Sequence, residues 1–410
     1  MTEPLTADVV IAGGGLAGAA TAIALAQRGL SSVVVDKAEF PREKPCGEGL
    51  LPHGVSLLQG LGIGDVVEAC GGQPFRGILY HCGGVIARGD FDGGESGRGL
   101  RRRLLDEAVR KKAEERGVVF VNGVVAGVVV DGEGGALTLS DGRVLRGKVV
   151  VGADGPRSTV RHGLDLDGGP PSHARYALRQ HFRLAPGVPL PERVEVHVGV
   201  GHEMYVTPVG ADDGSGAIVG VAALCEKRVM EAGEGKPAER LARLIAGCAP
   251  LAERTAGSVV DGPALACGPL RVHSKAVWRG RGVLVGDAAG YVDAITGEGM
   301  SLALKTATLA ADAIRGVVDG RGADVEFAVY AKRRMAAFRD HAILTVGLVE
   351  LARRPFFCRR AIARLAKDPA LFTRLLAVNN GTKSLTSLGV LDVVKLAVGS
   401  SPPRLLESSV

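Results

Sequence analysis

The stretch Val9-Val10-Ile11-Ala12-Gly13-Gly14-Gly15-Leu16-Ala17-Gly18 decides how this chain folds. An apolar run, read as a buried strand, flows into Gly-x-Gly-x-x-Gly at Gly13, Gly15 and Gly18, and a small-residue helical pattern follows from Ala19 to Gln27. A second apolar run, Ser32 to Val35, ends in Asp36. That order is the βαβ unit that holds the ADP half of a dinucleotide. Gly13 permits the tight turn, Gly15 lets the backbone approach a pyrophosphate, and Gly18 lets helix and strand pack closely. The helix N-terminus offers free N–H groups and a partial positive charge to phosphate. Asp36, 21 residues beyond Gly15, stands where an acid holds ribose hydroxyls.

A chain of 410 residues accommodates two domains or one large composite one, with a sizeable core. Its 46% hydrophobic and 23% charged residues are the balance of a soluble globular enzyme. The formal charge of +6 is mild and gives no argument for nucleic acid. The run Arg101-Arg102-Arg103, with Arg110, Lys111 and Lys112 at helical spacing, reads as a solvated helix face. Seven cysteines contain no Cys-x-x-Cys pair, which argues against a zinc knuckle or thioredoxin-type site; no metal is expected, and reduced cytoplasmic thiols are. Met1 to Pro4 lacks the basic region of a signal peptide. Glycines and Thr21 interrupt the apolar run Val9 to Ala26, against a membrane span. The expected location is therefore cytoplasmic.

Further along, His53 to Leu61 and Arg101 to Arg116 carry helical patterns. Val118 to Val130 and Ala136 to Leu145 read as a β-meander with turns at Asp131-Gly132 and Asp141-Gly142. Lys148 to Val151 runs into Gly152-Ala153-Asp154-Gly155, and Gly282 to Val285 runs into Gly286-Asp287-Ala288-Ala289. Between them, Tyr176 to Ala223 alternates as strands do, and Ala238 to Ala246 reads as a helix. After Gly299 the pattern is helical: Met300 to Arg315, Val325 to Leu344 and Arg359 to Leu376. Three strand ends, each with a glycine turn, could surround one extended dinucleotide.

The order and spacing of these three motifs resemble the flavoprotein class of para-hydroxybenzoate hydroxylase, which also contains geranylgeranyl reductases and flavin-dependent halogenases. The resemblance covers about residues 7 to 315 and, weakly, the helical tail. It implies an α/β protein: a Rossmann-type FAD-binding fold with an inserted antiparallel β-sheet substrate domain and C-terminal helices. The expected division is FAD-binding parts at 1–75, 101–172 and 273–330, substrate parts at 76–100 and 173–272, and a helical region at 331–410. The resemblance puts Gly13, Gly15, Leu16, Ala17 and Gly18 on the FAD pyrophosphate, Asp36 on the adenosine ribose, and Lys37 and Val125 beside the adenine. Arg102, in Arg-x-x-Leu-Asp, would meet the flavin's phosphate or ribityl side. Asp154 and Gly155, followed by Ser158 and Arg161, match the class's second fingerprint. Asp287 would bind a ribityl hydroxyl, and Thr296-Gly297-Glu298-Gly299-Met300 would set a helix N-terminus near the pyrimidine ring. The class often has a proline after the third motif; Tyr291 to Ile295 has none.

The segment Phe40-Pro41-Arg42-Glu43-Lys44-Pro45-Cys46-Gly47-Glu48-Gly49-Leu50 is similar to the Lys-x-Cys-Gly segment of geranylgeranyl-reductase-like proteins. It is expected to pass near the isoalloxazine, with Arg42 and Gly47 on the cofactor and Cys46 as either a catalytic thiol or a small packing residue. Tyr205, in Glu203 to Val209, is the second catalytic candidate, where the reductases show a more aromatic motif ending in proline. The single tryptophan, Trp278, lacks the halogenase Trp-x-Trp context. His53, His81, His173, His181, His197 and His202 are weaker candidates, since a histidine more often fills a structural role.

Three functions remain open on these residues: an FAD monooxygenase that hydroxylates or epoxidises a small organic substrate with NADPH or NADH and O2, an alkene reductase, and a non-catalytic FAD-binding maturation protein. Monooxygenation leads. The expected partners are a small-molecule substrate and at most a second copy of the chain. The tail from Pro355 to Leu396 mixes basic and apolar residues and could lie on a bilayer, although packing over the substrate pocket or against a second subunit is the preferred reading.

Overall fold

The computed structural model describes residues 5–170, 174–210, 216–232, 234–389, 391–392, 396 and 399–400. Its first layer is an eight-stranded sheet. The main path runs Trp278–Arg279, Gly282–Leu284, Val144–Gly152, Leu5–Ala12, Ser32–Asp36 and Val119–Asn122 in spatial order. Val9 stands opposite Val149 on one side and Ser32 on the other, both in parallel register. Strands buried on both faces need apolar side chains at every position, which is why Val9 to Ala12 and Val149 to Val151 read as unbroken apolar runs. Helices Leu16–Ala26 and Gly299–Val318 pack against each other, and Arg102–Glu114 packs on the first of them.

Two element expectations are corrected. Val118 to Val130 is two strands: Val119–Asn122 joins the parallel sheet beside Ser32–Asp36, and Val125–Val130 turns away to pair antiparallel with Gly135–Leu139. Arg359 to Leu376 is likewise two helices, Pro355–Lys367 and Pro369–Asn379. Pro369 has no N–H to continue a helix, and the Asp368 carboxylate caps the new one by accepting from the Leu371 N–H at 3.1 Å. The boundary expected at 330/331 falls inside one 30-residue helix, Ala323–Ala352.

The second layer is a seven-stranded sheet in the order Val259–Cys267, Arg175–Arg183, Ile218–Glu226, His202–Val209, Val194–Gly199, Gly77–Cys82 and Val85–Asp90. It is antiparallel except for one pair, Val194–Gly199 with Gly77–Cys82, which runs parallel. Helix Pro237–Ala246 contributes Leu241 and Ile245 to the core on one face of this sheet. The C-terminal helices contribute Ile362, Leu365, Phe372 and Leu376 to the core on the other. A small three-stranded sheet, Gly49–Leu50, Gly97–Gly99 and Gln73–Phe75, lies at the junction of the two layers.

Candidate functional site

The three strand-to-turn motifs converge on one cavity of about 1300 Å³. Single-ligand pockets span roughly 300–1,000 Å³, so this one has room for an extended dinucleotide and a second molecule. Of the residues named from the sequence, Gly13, Gly15, Leu16, Ala17, Asp36, Lys37, Arg42, Cys46, Gly47, Arg102, Val125, Asp154, Gly155, Tyr205, Asp287, Gly297, Gly299 and Met300 all border it. Gly18 lies behind the wall. A Cβ there would stand 1.8 Å from the Gly13 carbonyl oxygen, so glycine is required by the contact of helix with strand end.

The cofactor end has the chemistry of a dinucleotide cradle. Helix Leu16–Ala26 starts at Gly15 with no side-chain cap and no acid in its first turn, which leaves its first N–H groups for an anion. Asp36 accepts from the Gly14 N–H at 2.7 Å and from the Ala38 N–H at 2.9 Å, with Arg42 at 3.8 Å. The carboxylate is thus fixed toward the cavity with lone pairs to spare. Asp154 uses Oδ2 to accept from the Thr159 and Val160 N–H groups, while its buried Oδ1 has no partner. Arg42 Nε and Thr296 Oγ1 are also buried at this wall without partners. At Gly47, Gly155 and Gly297 nothing lies within 4 Å of where a Cβ would be. Orphaned polar atoms beside open glycine backbone fit a polar, extended cofactor such as FAD.

Below this end lies a cluster of buried charge that the sequence reading missed. Arg101 and Arg102, expected on a solvated face, are 2% and 4% exposed. Arg102 makes a bidentate pair with Asp106 at 2.8 Å, four residues along the same helix, and its guanidinium also reaches the Cys46 sulfur. Glu48 accepts from the Arg102 backbone N–H at 2.9 Å and is bonded to His181 Nε2. Arg179 sits 2.8 Å from His181 Nδ1 and pairs with Glu43 at 2.6 Å. Because a guanidinium can only donate, His181 Nδ1 must accept, which puts the ring proton on Nε2 facing Glu48. Burial alone would raise the Glu48 carboxyl, but His181, Arg179 and the Arg102 N–H together hold it below its ordinary value. The i,i+4 spacing of Arg102 and Asp106 was the one sequence signal for this cluster. Nothing in spacing alone joins Glu48 to Arg179 and His181, which a strand from the other layer delivers.

Cys46 stands at the boundary between the two ends of the cavity. Its Sγ accepts from the Glu48 N–H at 3.3 Å. Tyr205 also borders the cavity and donates to the Ile295 carbonyl at 3.3 Å; burial holds its hydroxyl protonated, well above the ordinary tyrosine value. Beneath it, Arg175 bridges Glu203 and Asp293, and burial raises the Glu203 carboxyl to about 7. Glu298 precedes helix Gly299–Val318. Burial raises it to about 8, and its Oε1 has no partner.

Beyond Cys46 the cavity becomes an apolar chamber. The sheet supplies Ile78, Tyr80, Val194, Val196 and Val198, and the C-terminal helices supply Leu344, Leu348, Leu351, Ile362, Leu365 and Phe372. Strand alternation sends Glu195, His197 and His81 to the opposite face, where the two rings stack 4.5 Å apart and Arg254 pairs with Glu195. Of the other candidate histidines, His53 and His202 do not border the cavity, whereas His273, which was not a candidate, does. The backbone N–H of His53 bonds Asn380, His202 begins the strand His202–Val209, and His173 falls outside the described residues. Trp278 packs by Phe327 in the core of the first layer.

A family model described as an FAD binding domain matches residues 6–210, half of the chain, and the protein belongs to that family. Menaquinone reductase of Mycobacterium tuberculosis is 29% identical over 323 residues, covering 75% of this chain and 76% of the relative. Digeranylgeranylglycerophospholipid reductase 1 of Methanopyrus kandleri is 27% identical over 422 residues, covering 94% and 98%. 3-Hydroxybenzoate 6-hydroxylase 1 of Aquipseudomonas alcaligenes is 32% identical over 189 residues, covering 40% and 44%. The crystal structure of a flavoprotein/dehydrogenase from Cytophaga hutchinsonii shares the fold with a TM-score of 0.79 at 20% identity, over 92% of this chain and 93% of that one. The chain is therefore an FAD-dependent oxidoreductase with a Rossmann-type FAD-binding fold.

Proposed function

We propose that this protein reduces a carbon–carbon double bond in a long isoprenoid-type chain, with electrons from NADPH or NADH passed through FAD. The observation that carries the reading is the apolar chamber, walled by aliphatic side chains from the sheet and the C-terminal helices. Such walls offer an extended hydrocarbon contact along its length and offer a polar aromatic acid few partners. The relatives support the same order. Those that align over three quarters or more of this chain are named for a quinone and for a digeranylgeranyl lipid, whereas the hydroxylase aligns over 40%. Reduction thus moves ahead of the hydroxylation that the sequence reading favoured.

Bound FAD supplies a two-electron carrier between the nicotinamide donor and the alkene. The residues of the chain do the rest. Gly13 to Ala17, Asp36, Asp154 and Asp287 would hold the dinucleotide, and the helix start at Gly297 to Met300 would favour negative charge on its neighbouring ring. The chamber excludes water and aligns the chain. Cys46, whose Sγ accepts from the Glu48 N–H beside Arg102, would stand where the two ends of the cavity meet, and Tyr205 Oη would present a protonated group there. Anaerobic incubation with NADPH or NADH and geranylgeranyl lipids tests the reading by mass. Gain of two hydrogens supports it. Gain of one oxygen under air, with no reduced product, would replace it with monooxygenation, the second reading, which the hydroxylase relative keeps in view.

A further inference from the structure

The turn joining helix Ala323–Ala352 to helix Pro355–Lys367 is built as few soluble surfaces are. Arg353, Arg354, Pro355, Phe356 and Phe357 are five consecutive exposed residues. Phe356 is 68% exposed and Phe357 52%, and their rings meet edge to face at 5.4 Å. Scattered exposed apolar residues are ordinary, but a paired aromatic tip rimmed by cations marks an interaction site. From Glu350 to Asp368 there are six basic residues and two acids. Arg360 lies 5.7 Å from the Phe356 ring centre. Glu350 pairs with Arg353 at 3.1 Å and Arg354 at 3.7 Å, exposed contacts of small worth that a phosphate can replace.

The turn also sits at the chamber. Leu351 and Ala352 before it, and Cys358, Ala361 and Ile362 after it, all line that space. Ile343, ten residues before Arg353 on the same long helix, lines it while 53% exposed, so the chamber reaches the surface along that helix. No helix among the described residues is long and apolar enough to cross a membrane, so contact with a bilayer would be from one side.

We propose that the Arg353–Phe357 turn docks on an anionic lipid bilayer, the two phenylalanines entering the interface and the arginines meeting lipid phosphates. Charge selects this occupant. A second copy of the chain packed symmetrically on the turn would set one basic cluster against another, whereas an anionic surface complements both the cations and the rings. Docking would open the chamber toward the phase in which long isoprenoid chains dissolve. That purpose rests on the proposed reductase function, while the docking rests on the surface alone.

The test is sedimentation of the full-length, FAD-loaded protein with phosphatidylcholine vesicles, with and without phosphatidylglycerol. The protein should bind the anionic vesicles, lose that binding as salt rises, and bind pure phosphatidylcholine weakly. F356S/F357S should weaken binding by about tenfold or more. R353Q/R354Q should weaken it about fivefold per arginine on anionic vesicles only. V259S, at an exposed position on the far sheet edge, should leave it unchanged. Flavin content confirms that each variant is folded. Wild type that stays in the supernatant, or variants that bind as wild type does, would overturn the docking, and so would F356S/F357S converting a dimer to a monomer without any vesicle binding. Activity on a detergent-dispersed prenyl alkene separates the two proposals. Vesicle binding with no turnover there sinks the reductase and leaves the docking standing.

Discussion

The two ends of the cavity are built on different principles. At the cofactor end the backbone does the recognition, and side chains are mostly removed: Gly13, Gly15, Gly47, Gly155 and Gly297 present bare amides, and Gly18 lets two elements touch. In the apolar chamber side-chain volume sets the space, with valines and leucines from two layers as its walls. Where glycine backbone packs on backbone little change is tolerated: an added carbon would stand 2.4 Å from the Ala153 carbonyl oxygen at Gly13 and 1.8 Å from the Gly13 carbonyl oxygen at Gly18. A volume-defined chamber tolerates many substitutions of like size.

The sharpest way to break that contrast is a matched pair of glycine changes. In Gly18→Val the new side chain starts 1.8 Å from the Gly13 carbonyl oxygen, so helix and strand must separate. We expect purified protein without flavin and a loss of more than about 3 kcal/mol in denaturant unfolding. Gly347→Ala, in the helix over the chamber where nothing lies within 4 Å, should keep its flavin and gain up to about 1 kcal/mol from helix propensity. Equal flavin loss in both would end the distinction.

Next in size is the charge cluster that joins the two ends. Glu48→Gln removes a fully buried carboxylate and leaves Arg179 short of a counter-charge, at an expected cost of about 3–5 kcal/mol. The sign with pH follows from the depressed value of Glu48. Its stabilisation is present above the ordinary glutamate range and lost as pH falls through the lower folded value. The variant should therefore show a flatter acid limb when thermal unfolding is scanned against pH. A steeper limb would mean that the carboxyl is not held ionised by its partners.

This cluster also marks where the sequence stops being legible. The βαβ unit could be read because its roles are local: turn, helix start and acid lie within about thirty residues, and glycine identity is dictated by backbone geometry. Glu48 and His181 are 133 positions apart and meet only because two sheets pack. Arg101 and Arg102 looked like a solvated face because helical periodicity reports charge, not the partner that neutralises it. The chamber was illegible for a related reason, since the valines and leucines that line it are the residues any core would use. Pro369 could have been read as a helix break, because its missing N–H is a local rule.

Filling the chamber sharpens the comparison from the other side. Gly347→Phe projects a ring into open space at its lining and should cut turnover of a long prenyl substrate by about tenfold while flavin content stays full. A shorter substrate should lose less. Equal losses for both lengths would argue against a chain-binding role for this end.

A smaller effect is expected at Glu298, beside the helix start at the flavin end. Its buried carboxyl titrates at about 8 against an ordinary 4.5. The folded protein thus holds a proton that the unfolded chain has lost, so stability is highest below the ordinary value and falls as pH rises toward the folded one. Glu298→Gln keeps the shape and removes the titration. It should gain on wild type by about 1 kcal/mol or more as pH goes from about 6 to about 9. A constant offset across that range would mean that Glu298 is ionised throughout.

The smallest change is Tyr205→Phe, and it asks whether the boundary between the two ends is chemical or only structural. The hydroxyl donates to the Ile295 carbonyl at 3.3 Å, a long bond worth about 0.5–1.5 kcal/mol. Burial keeps it protonated at any working pH, so it could donate a proton or simply tie the strand to the loop before Gly297. Loss of the tie alone should change kcat by less than about threefold, because the chamber wall stays in place. A fall in kcat of about tenfold or more, with KM and flavin content unchanged, would make Tyr205 a group that acts in the reaction itself. The same measurement on Cys46→Ala then completes the comparison. If only the cysteine change lowers kcat, the Cys46 sulfur is the group that acts at the junction, and the tyrosine belongs to the chamber's volume-defined wall.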